Sequence, residues 1–180
     1  MALTSTMHAF RLEISDIDRG VYDTVDLRVA RHPSESVPFL ITRVLAYALE
    51  YRPELAFGRG VSTADEPAIW ARDATGRILL WVDIGSPSTD RLHKASKLAD
   101  EVVVYTTRDI DGIAASAVSK GVHRAEALRL VEVPNDIVTP LGDRLGRRND
   151  WGLVRTEGSL FVTADAGDGF EGRLRQRTAS

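Results

Sequence analysis

The segment from residue 65 to residue 107 constrains the fold more than any other part of the chain. Two short apolar runs, PAIWARD at 67–73 and RILLWVDIG at 77–85, are separated by turn residues at 74–76. The residues SPSTD at 86–90 then begin a helical pattern, and EVVVYTT at 101–107 is a continuous apolar run typical of a buried strand. This segment therefore predicts a strand meander, a helix and a central strand.

The rest of the chain adds further helices and strands around that segment. Alternating polar and apolar residues predict an N-terminal hairpin, and apolar spacing after residue 34 predicts a helix that ends near Tyr51. Ser34 or Ser36 is expected to cap this helix. The other predicted elements are a strand at 55–62, a helix at 109–120, a strand at 128–133, a helix at 136–145 and a hairpin at 151–163. We expect one domain over residues 1–164 and a disordered tail over 165–180, which is rich in Gly, Asp and Arg.

Composition narrows the possible chemistry. The chain of 180 residues has no cysteine and only four histidines, so a bound metal is expected on oxygen ligands. A net charge of −3 argues against a broad, sequence-blind grip on nucleic acid but allows a local basic patch. The sequence has no apolar run near 18 residues and no signal-peptide pattern, which predicts a soluble protein with no membrane partner, most simply cytoplasmic.

Two acids are candidates for metal ligands. Strand alternation places Asp83 on one face with Trp81, while Glu66 lies near the start of the preceding strand. If the two strands are neighbours, Glu66 and Asp83 converge on one divalent cation, for which Mg²⁺ or Mn²⁺ is the expected choice. The alternative is that each is an exposed acid at a strand end.

The helix that follows Asp83 carries three cations, Arg91, Lys94 and Lys97. A lysine in the first two turns can reach a metal and its phosphate, and Lys94 is the better placed of the two lysines. The alternative is the solvated face of a surface helix. Arg59, between Gly58 and Gly60, either approaches a phosphate or belongs to a bulge or turn.

Other candidate residues are weaker. His32 is a possible ligand or base, with a structural role as the alternative, and Glu35 and Glu50 lie away from the apolar stripe of the first helix. The sequence contains no nucleophile elbow, Walker loop or dinucleotide fingerprint, which argues against the simplest acyl-transfer, NTPase and dehydrogenase functions.

With these residues in view, the chain resembles the bacterial YaeQ family. The resemblance rests on five motifs: RHPSE at 31–35, FGRG at 57–60, DEP at 65–67 with Trp70, LWVDIG at 80–85, and RLHKA at 91–95. It implies an α/β (α+β) fold that varies the PD-(D/E)XK nuclease core, a central mixed sheet flanked by helices in the order αβββαβ. The predicted element order from residue 34 to residue 107 is similar.

The resemblance also implies roles for individual residues. Pro67 and Ala68 occupy the Pro-Asp positions, and Asp83, Ile84 and Gly85 occupy the (D/E)XK positions. Ala68 and Gly85 depart from the motif. Glu66 is the expected replacement for the missing acid.

For the missing lysine, Lys94 is the expected replacement. The first hypothesis is therefore a divalent-metal-dependent nuclease in which Glu66 and Asp83 bind the metal and Lys94 holds the phosphate. The second is a catalytically inactive module that binds nucleic acid or an acidic protein partner through four cations, which are Arg59, Arg91, Lys94 and Lys97.

A third hypothesis is purely structural. It makes the face that carries Trp70 and Trp81 part of a protein interface, in which case both indoles would lie in an exposed apolar patch.

Overall fold

The structure is a computed structural model that describes residues 4–60, 63–165 and 167–180. The described residues form two mixed sheets and four α-helices. The strands are β1 (Thr6–Asp16), β2 (Val21–Arg31), β3 (Leu55–Phe57), β4 (Ile69–Arg72), β5 (Ile78–Ile84), β6 (Ala99–Thr106), β7 (Arg129–Glu132), β8 (Arg148–Thr156), β9 (Ser159–Ala164), β10 (Asp168–Arg173) and β11 (Arg175–Thr178). The helices are α1 (Val37–Leu49), α2 (Thr89–Leu98), α3 (Ile110–Ser119) and α4 (Asn135–Asp143).

The chain divides into two compact units, each with its own sheet. The first unit comprises Met1–Leu49 and Val133–Leu174, and the second comprises Glu50–Glu132 and Arg175–Ser180. The expected mixture of helices and strands is confirmed, but two mixed sheets take the place of the single central sheet that was predicted. The assignment of a single domain stays a prediction.

The first unit is built on a five-stranded sheet in the order β10-β9-β8-β1-β2. The predicted N-terminal hairpin is confirmed as β1 and β2, and β8 runs parallel to β1. Alternate β1 residues are buried, and Phe10 meets Trp151 edge-on with ring centroids 4.9 Å apart. Helices α1 and α4 contact each other, α1 contacts β1 and α4 contacts β10. Strand alternation therefore gives this sheet one buried face, while its other face carries exposed side chains.

The turns at one end of this sheet are joined by Asp18. Its carboxylate accepts hydrogen bonds from the backbone N–H groups of Glu157 at 2.6 Å and Gly158 at 3.0 Å. Arg155 lies 3.4 Å from the same carboxylate. The Gly158 N–H, with the other two donors, lowers the pKa of Asp18. One side chain thus connects the β1–β2 turn to the β8–β9 turn.

The second unit is built on a six-stranded sheet in the order β11-β7-β6-β5-β4-β3. The predicted meander is confirmed, since β3, β4 and β5 pair antiparallel, and β5, β6 and β7 then pair parallel. Parallel neighbours need a crossover, and α2 supplies the one between β5 and β6. Trp81, Leu92, Val104 and Ala114 are members of one buried cluster that joins this sheet to α2 and α3.

Within the predicted disordered tail at 165–180, residues 168–173 and 175–178 form strands instead, and residue 166 lies outside the described residues. Strand β10 pairs antiparallel with β9, and β11 pairs antiparallel with β7. Backbone hydrogen bonding to a preformed edge needs little side-chain burial, so a polar, glycine-containing segment can still be ordered there. Ala179 follows β11 and belongs to the buried cluster of the second unit. Hydrophobicity and charge were therefore poor guides to this segment.

The helix predictions are confirmed with small shifts in their bounds. Ser36 accepts a hydrogen bond from the N–H of Phe39 at 3.2 Å, as expected for the cap of α1. Ser88 caps α2 and Asp109 caps α3 in the same way. The predicted strand at 55–62 is shorter, ending at Phe57, and its residues 61 and 62 lie outside the described residues.

None of the helices in the described parts of the chain is long and apolar enough to cross a membrane. A cytoplasmic location stays a prediction.

Gly58 is required by a close backbone approach rather than by a phosphate. Its N–H donates to the carbonyl oxygen of Ala68 at 3.0 Å, and a Cβ at this position would collide with the carbonyl oxygen of Pro67. We expect Gly58→Ala to lower the free energy of unfolding by about 2 kcal/mol, because overpacking against backbone cannot be relieved by a rotamer change. Urea denaturation measures this loss. Gly167→Ala is the control, since a Cβ there meets no atom within 4 Å, and an equal loss in both variants would contradict the prediction.

Asp18 predicts a dependence of stability on pH. Because the folded-state pKa is lowered, its contribution is present above the unfolded pKa of about 3.9 and disappears as the pH falls through the folded value. We expect Asp18→Asn to be less stable than the wild type at pH 7 and to converge with it near pH 2, as measured by urea denaturation across this range. Asp143→Asn, at an exposed acid of the same unit, is the control. A difference that persists unchanged at low pH would contradict this assignment.

Candidate functional site

The carboxylate of Asp83 is the best-defined polar feature of the second unit. Asp83 lies near the end of β5, on the same sheet face as Trp81 and therefore on the side covered by α2. It is 3% exposed. Arg91, in the first turn of α2, donates from Nε to one carboxylate oxygen at 2.8 Å and from an Nη atom to the other at 2.7 Å. Both oxygens of the buried acid are therefore held by one guanidinium.

Arg91 also holds the loop that precedes β4. Its two Nη atoms donate to the carbonyl oxygens of Ala64 at 2.6 Å and Glu66 at 2.7 Å. Its guanidinium carbon lies 5.6 Å from the centroid of the Trp81 ring. The guanidinium thus has four oxygen neighbours from β5 and the loop, and it joins strand, loop and helix at one point.

The two acids of the loop carry their own cations. The Glu66 carboxylate accepts hydrogen bonds from the backbone N–H of Arg59 at 2.9 Å and from its Nε at 2.8 Å. This side-chain bond from Arg59 lowers the pKa of Glu66, and the bond to Lys94 lowers the pKa of Asp65 in the same manner. The Lys94 Nζ pairs with Asp65 at the surface, where its side chain is 51% exposed. Together with the Asp83–Arg91 pair, three ion pairs therefore lie along this edge of the unit.

The predicted site residues lie along one edge of the second unit, but their ion pairs differ from those expected. Asp83 is paired with Arg91 rather than with Lys94, and the Glu66 carboxylate is held by Arg59. Lys97 is exposed and forms no ion pair with any other described residue. The roles of Glu66, Asp83 and Lys94 in catalysis stay predictions.

These residues do not fit a divalent cation in the arrangement observed. Within residues 4–60, 63–165 and 167–180, no group of three or more Asp, Glu or His side chains is placed to hold a metal ion. Each carboxylate oxygen of Asp83 already accepts a hydrogen bond from Arg91. A metal would have to displace a guanidinium that makes four hydrogen bonds.

Glu50, the other acid considered for this site, faces elsewhere. It accepts a hydrogen bond from the Tyr105 hydroxyl at 2.7 Å and from Arg129 at 2.8 Å. The sheet partner of Asp83 is Val104, so the next residue, Tyr105, points to the opposite face of the sheet. Glu50 therefore cannot join Asp83.

Glu35 belongs to the first unit and forms a buried ion pair with Arg43 at 3.0 Å. Burial raises its pKa even beside this arginine. His32 bonds to the hydroxyl of Ser34 at 2.6 Å, so it has a local partner in the turn before α1. These contacts give His32, Ser34 and Glu35 of the RHPSE motif local structural partners.

The proposed tryptophan interface is wrong for Trp81. This side chain is 1% exposed and belongs to the core beneath α2, while Trp70 is partly buried and stacks with Arg72 at 3.4 Å from the ring centroid. An exposed patch that contains both indoles does not exist.

Sequence reasoning missed the Asp83–Arg91 pair itself. The signal was present, because Arg91 occupies the first turn of a helix that starts five residues after β5 ends. The planar guanidinium of an arginine can donate to both oxygens of a buried carboxylate, and a lysine ammonium cannot match this geometry as well. This difference favours Arg91 over Lys94 as the partner of Asp83.

Comparisons with known proteins place the chain in a family. A family model described as YaeQ protein matches residues 1–169, and the chain therefore belongs to the YaeQ family. Among curated relatives, the proteins named "Uncharacterized protein YaeQ" from Escherichia coli K12 and Salmonella typhi are 38% identical over 107 residues and 35% identical over 105 residues. These matches cover 59% and 58% of this chain, and the chain spans 59% and 58% of the length of those relatives.

Two solved structures of YaeQ proteins are similar over nearly the whole chain. The protein from Pseudomonas syringae matches with a TM-score of 0.87 at 34% identity, covering 97% of this chain and 96% of that one. The protein from Xanthomonas axonopodis pv. citri matches with a TM-score of 0.88 at 35% identity, covering 98% and 100%. These matches support the fold, and the names of the two proteins assign no activity.

The Asp83–Arg91 pair predicts a large effect on stability. We expect Arg91→Ala to lower the free energy of unfolding by about 3 kcal/mol, because it leaves a buried carboxylate without its cation. Arg91→Lys keeps the positive charge but loses the two parallel N–H donors of the guanidinium, so we expect an intermediate loss in the free energy of unfolding. Urea denaturation of both variants measures this order.

Lys97→Ala, six residues further along α2, is the matched control and is expected to change stability by no more than about 0.5 kcal/mol. Combining Arg91→Ala with Asp83→Asn should cost less than the sum of the two single changes. Additive losses would show that the two side chains do not depend on each other.

Proposed function

We propose that this protein is a nuclease-like module that binds nucleic-acid phosphates without metal-dependent cleavage. The observation that carries the proposal is the ion pair between Asp83 and Arg91. In a metal-dependent nuclease, a metal ion would lie beside this acid, whereas here the guanidinium of Arg91 lies there. Removing one partner of a buried ion pair costs about 3–5 kcal/mol, which opposes exchange of Arg91 for a metal ion.

The fold assignment is part of this proposal. From α1 to β6 the elements follow the order helix, three strands, helix, strand, which supports a variant of the PD-(D/E)XK core. Ile69 pairs with Val82, so continuing the antiparallel register by one residue brings Ala68 beside Asp83. The position that the resemblance gives to an acid then carries only a methyl group. This also favours binding over cleavage.

The expected binding surface is formed by exposed cations near this pair. The Arg59 side chain is 78% exposed and that of Lys94 is 51% exposed, and each is paired with one acid. The Asp65–Lys94 pair is exposed on both sides and contributes little free energy, so a phosphate can compete for Lys94. Arg59 is exposed although its partner Glu66 is only 12% exposed, so a phosphate would meet this guanidinium on its solvent side. Lys97 adds a third positive charge. Arg91, by contrast, is committed to internal hydrogen bonds, so it supports this surface rather than forming it.

This surface predicts weak, salt-dependent binding that depends on three cations. We expect labelled single-stranded DNA to bind with an affinity that falls with salt, and the combined change of Arg59, Lys94 and Lys97 to Gln to reduce the slope of log K against log salt by about 2, at roughly 0.7 per phosphate contact. Fluorescence anisotropy over a salt series measures the slope, with RNA and duplex DNA as parallel ligands.

Lys120→Gln is the matched control, because it removes one exposed charge elsewhere in the same unit. The proposal also requires that Asp83→Asn, if folded, retains binding. If the triple variant bound as tightly as the wild type, nucleic acid would be the wrong partner for this surface, and an acidic protein partner would be tested next.

A metal-dependent nuclease is the second candidate, and one observation favours it. The Asp83 carboxylate and the carbonyl oxygens of Ala64 and Glu66 all surround a single cation, and oxygen atoms are the ligands that Mg²⁺ and Mn²⁺ take. Incubation of DNA and RNA with the protein and Mn²⁺ or Mg²⁺ separates the two candidates. Phosphodiester cleavage that is lost in both Asp83→Asn and Glu66→Gln would overturn the proposal of a module without turnover.

A further inference from the structure

The exposed face of the five-stranded sheet carries an unusual row of residues. Ala9 on β1 lies directly opposite Arg28 on β2 and Arg148 on β8. Residues paired in this way point to the same face, and neighbouring strands are about 4.8 Å apart, so the two arginines flank Ala9 with Cα atoms about 10 Å from each other. The methyl group of Ala9 leaves a low point between two long cationic side chains.

A cavity of about 560 Å³ lies over this row. That volume is within the range of sites for small molecules, about 300–1,000 Å³. The side chains that matter for its chemistry are Ala9, Arg11, Arg28, Asp26, Arg148 and Asp150.

The two flanking arginines form no ion pair within the described parts of the chain. Arg28 and Arg148 are exposed, and neither forms an ion pair or a side-chain hydrogen bond with another residue in the described parts of the chain. Arg43 and Arg155 of the same unit, in contrast, are each paired with an acid. The two positive charges lie on either side of Ala9, so an anion bound between them would be attracted to both.

We propose that this depression, formed by Arg28, Ala9 and Arg148, binds the phosphate group of a small ligand. A guanidinium presents parallel N–H donors that match two oxygens of a phosphate, and two guanidinium groups on either side of a small residue can hold one phosphate between them. Arg11, in the next row of the same face, is 59% exposed and lies 3.9 Å from Asp26, a separation at which the pair contributes little. It supplies a third donor.

The neighbouring acids decide which kind of phosphate fits. Asp26 and Asp150 lie opposite Arg11 in the next row. The Asp165 carboxylate accepts a hydrogen bond from the backbone N–H of Asp150 at 2.8 Å. A long polyanion would be repelled by these three carboxylates. A small phosphorylated molecule with hydroxyl or amino groups would instead donate hydrogen bonds to them. The ligand class is therefore a nucleotide or sugar phosphate rather than a nucleic-acid strand.

The test is a titration of the full chain with inorganic phosphate, adenosine 5′-monophosphate and a single-stranded oligonucleotide at equal ionic strength, followed by NMR chemical shifts or calorimetry. We expect saturable binding of phosphate and tighter binding of the nucleotide. Arg28→Gln and Arg148→Gln should each weaken nucleotide binding about tenfold or more, since each removes hydrogen bonds to a charged group.

Two further variants make the test specific. Ala9→Leu fills the floor without changing the charge and should also weaken binding, whereas Arg173→Gln removes an exposed arginine from β10 of the same sheet and should not. Absence of saturable phosphate and nucleotide binding by the wild type, or equal weakening by Arg173→Gln, would overturn the proposal. Binding of the oligonucleotide alone would overturn the small-ligand assignment. These variants leave Arg59, Lys94 and Lys97 intact, so the result is independent of the function proposed for the second unit.

Discussion

The bidentate contact between Arg91 and Asp83 is the interaction on which the second unit's candidate site depends. An ionised carboxylate that is 3% exposed is stable only with a partner that satisfies both oxygens. Arg91 does this and also holds the carbonyl oxygens of Ala64 and Glu66. The position of the loop before β4 is therefore coupled to the charge of one residue on β5. The groups that this edge of the second unit can offer to a ligand therefore depend on the contacts of Arg91.

A fixed internal cation limits the chemistry that the proposed nuclease-like site could perform. Metal-dependent hydrolysis needs carboxylate oxygens that are free to coordinate an ion, whereas here the acids near the site are paired with Arg59, Arg91 and Lys94. The pairs differ in cost, because the Asp83 pair is buried while the Asp65–Lys94 pair is exposed and easily exchanged. Phosphate binding by the exposed cations is compatible with both properties.

The first unit has a different electrostatic design. Its buried charges are satisfied locally, as in the pair between Glu35 and Arg43 and in the contacts of Asp18 across two turns. Its exposed sheet face leaves Arg28 and Arg148 facing each other across Ala9. Because strand pairing fixes which side chains share a face, three residues that are far apart in sequence form one cationic row. Neither arginine belongs to the motifs that carry the resemblance to the family.

The sequence by itself determined the local elements and the identity of the acids. Period-two alternation predicted the N-terminal hairpin, a capping serine predicted the start of α1, and residues 86–90 predicted the start of α2. Asp83 was correctly placed on the same face as Trp81. Only the tertiary structure decided how charges pair, because Arg91 and Lys94 differ by less than one helical turn and both can reach a strand end. It also decided that residues 168–173 and 175–178 form strands. Those strands are stabilised by hydrogen bonds to sheet edges that distant segments create, and no local pattern encodes such an edge.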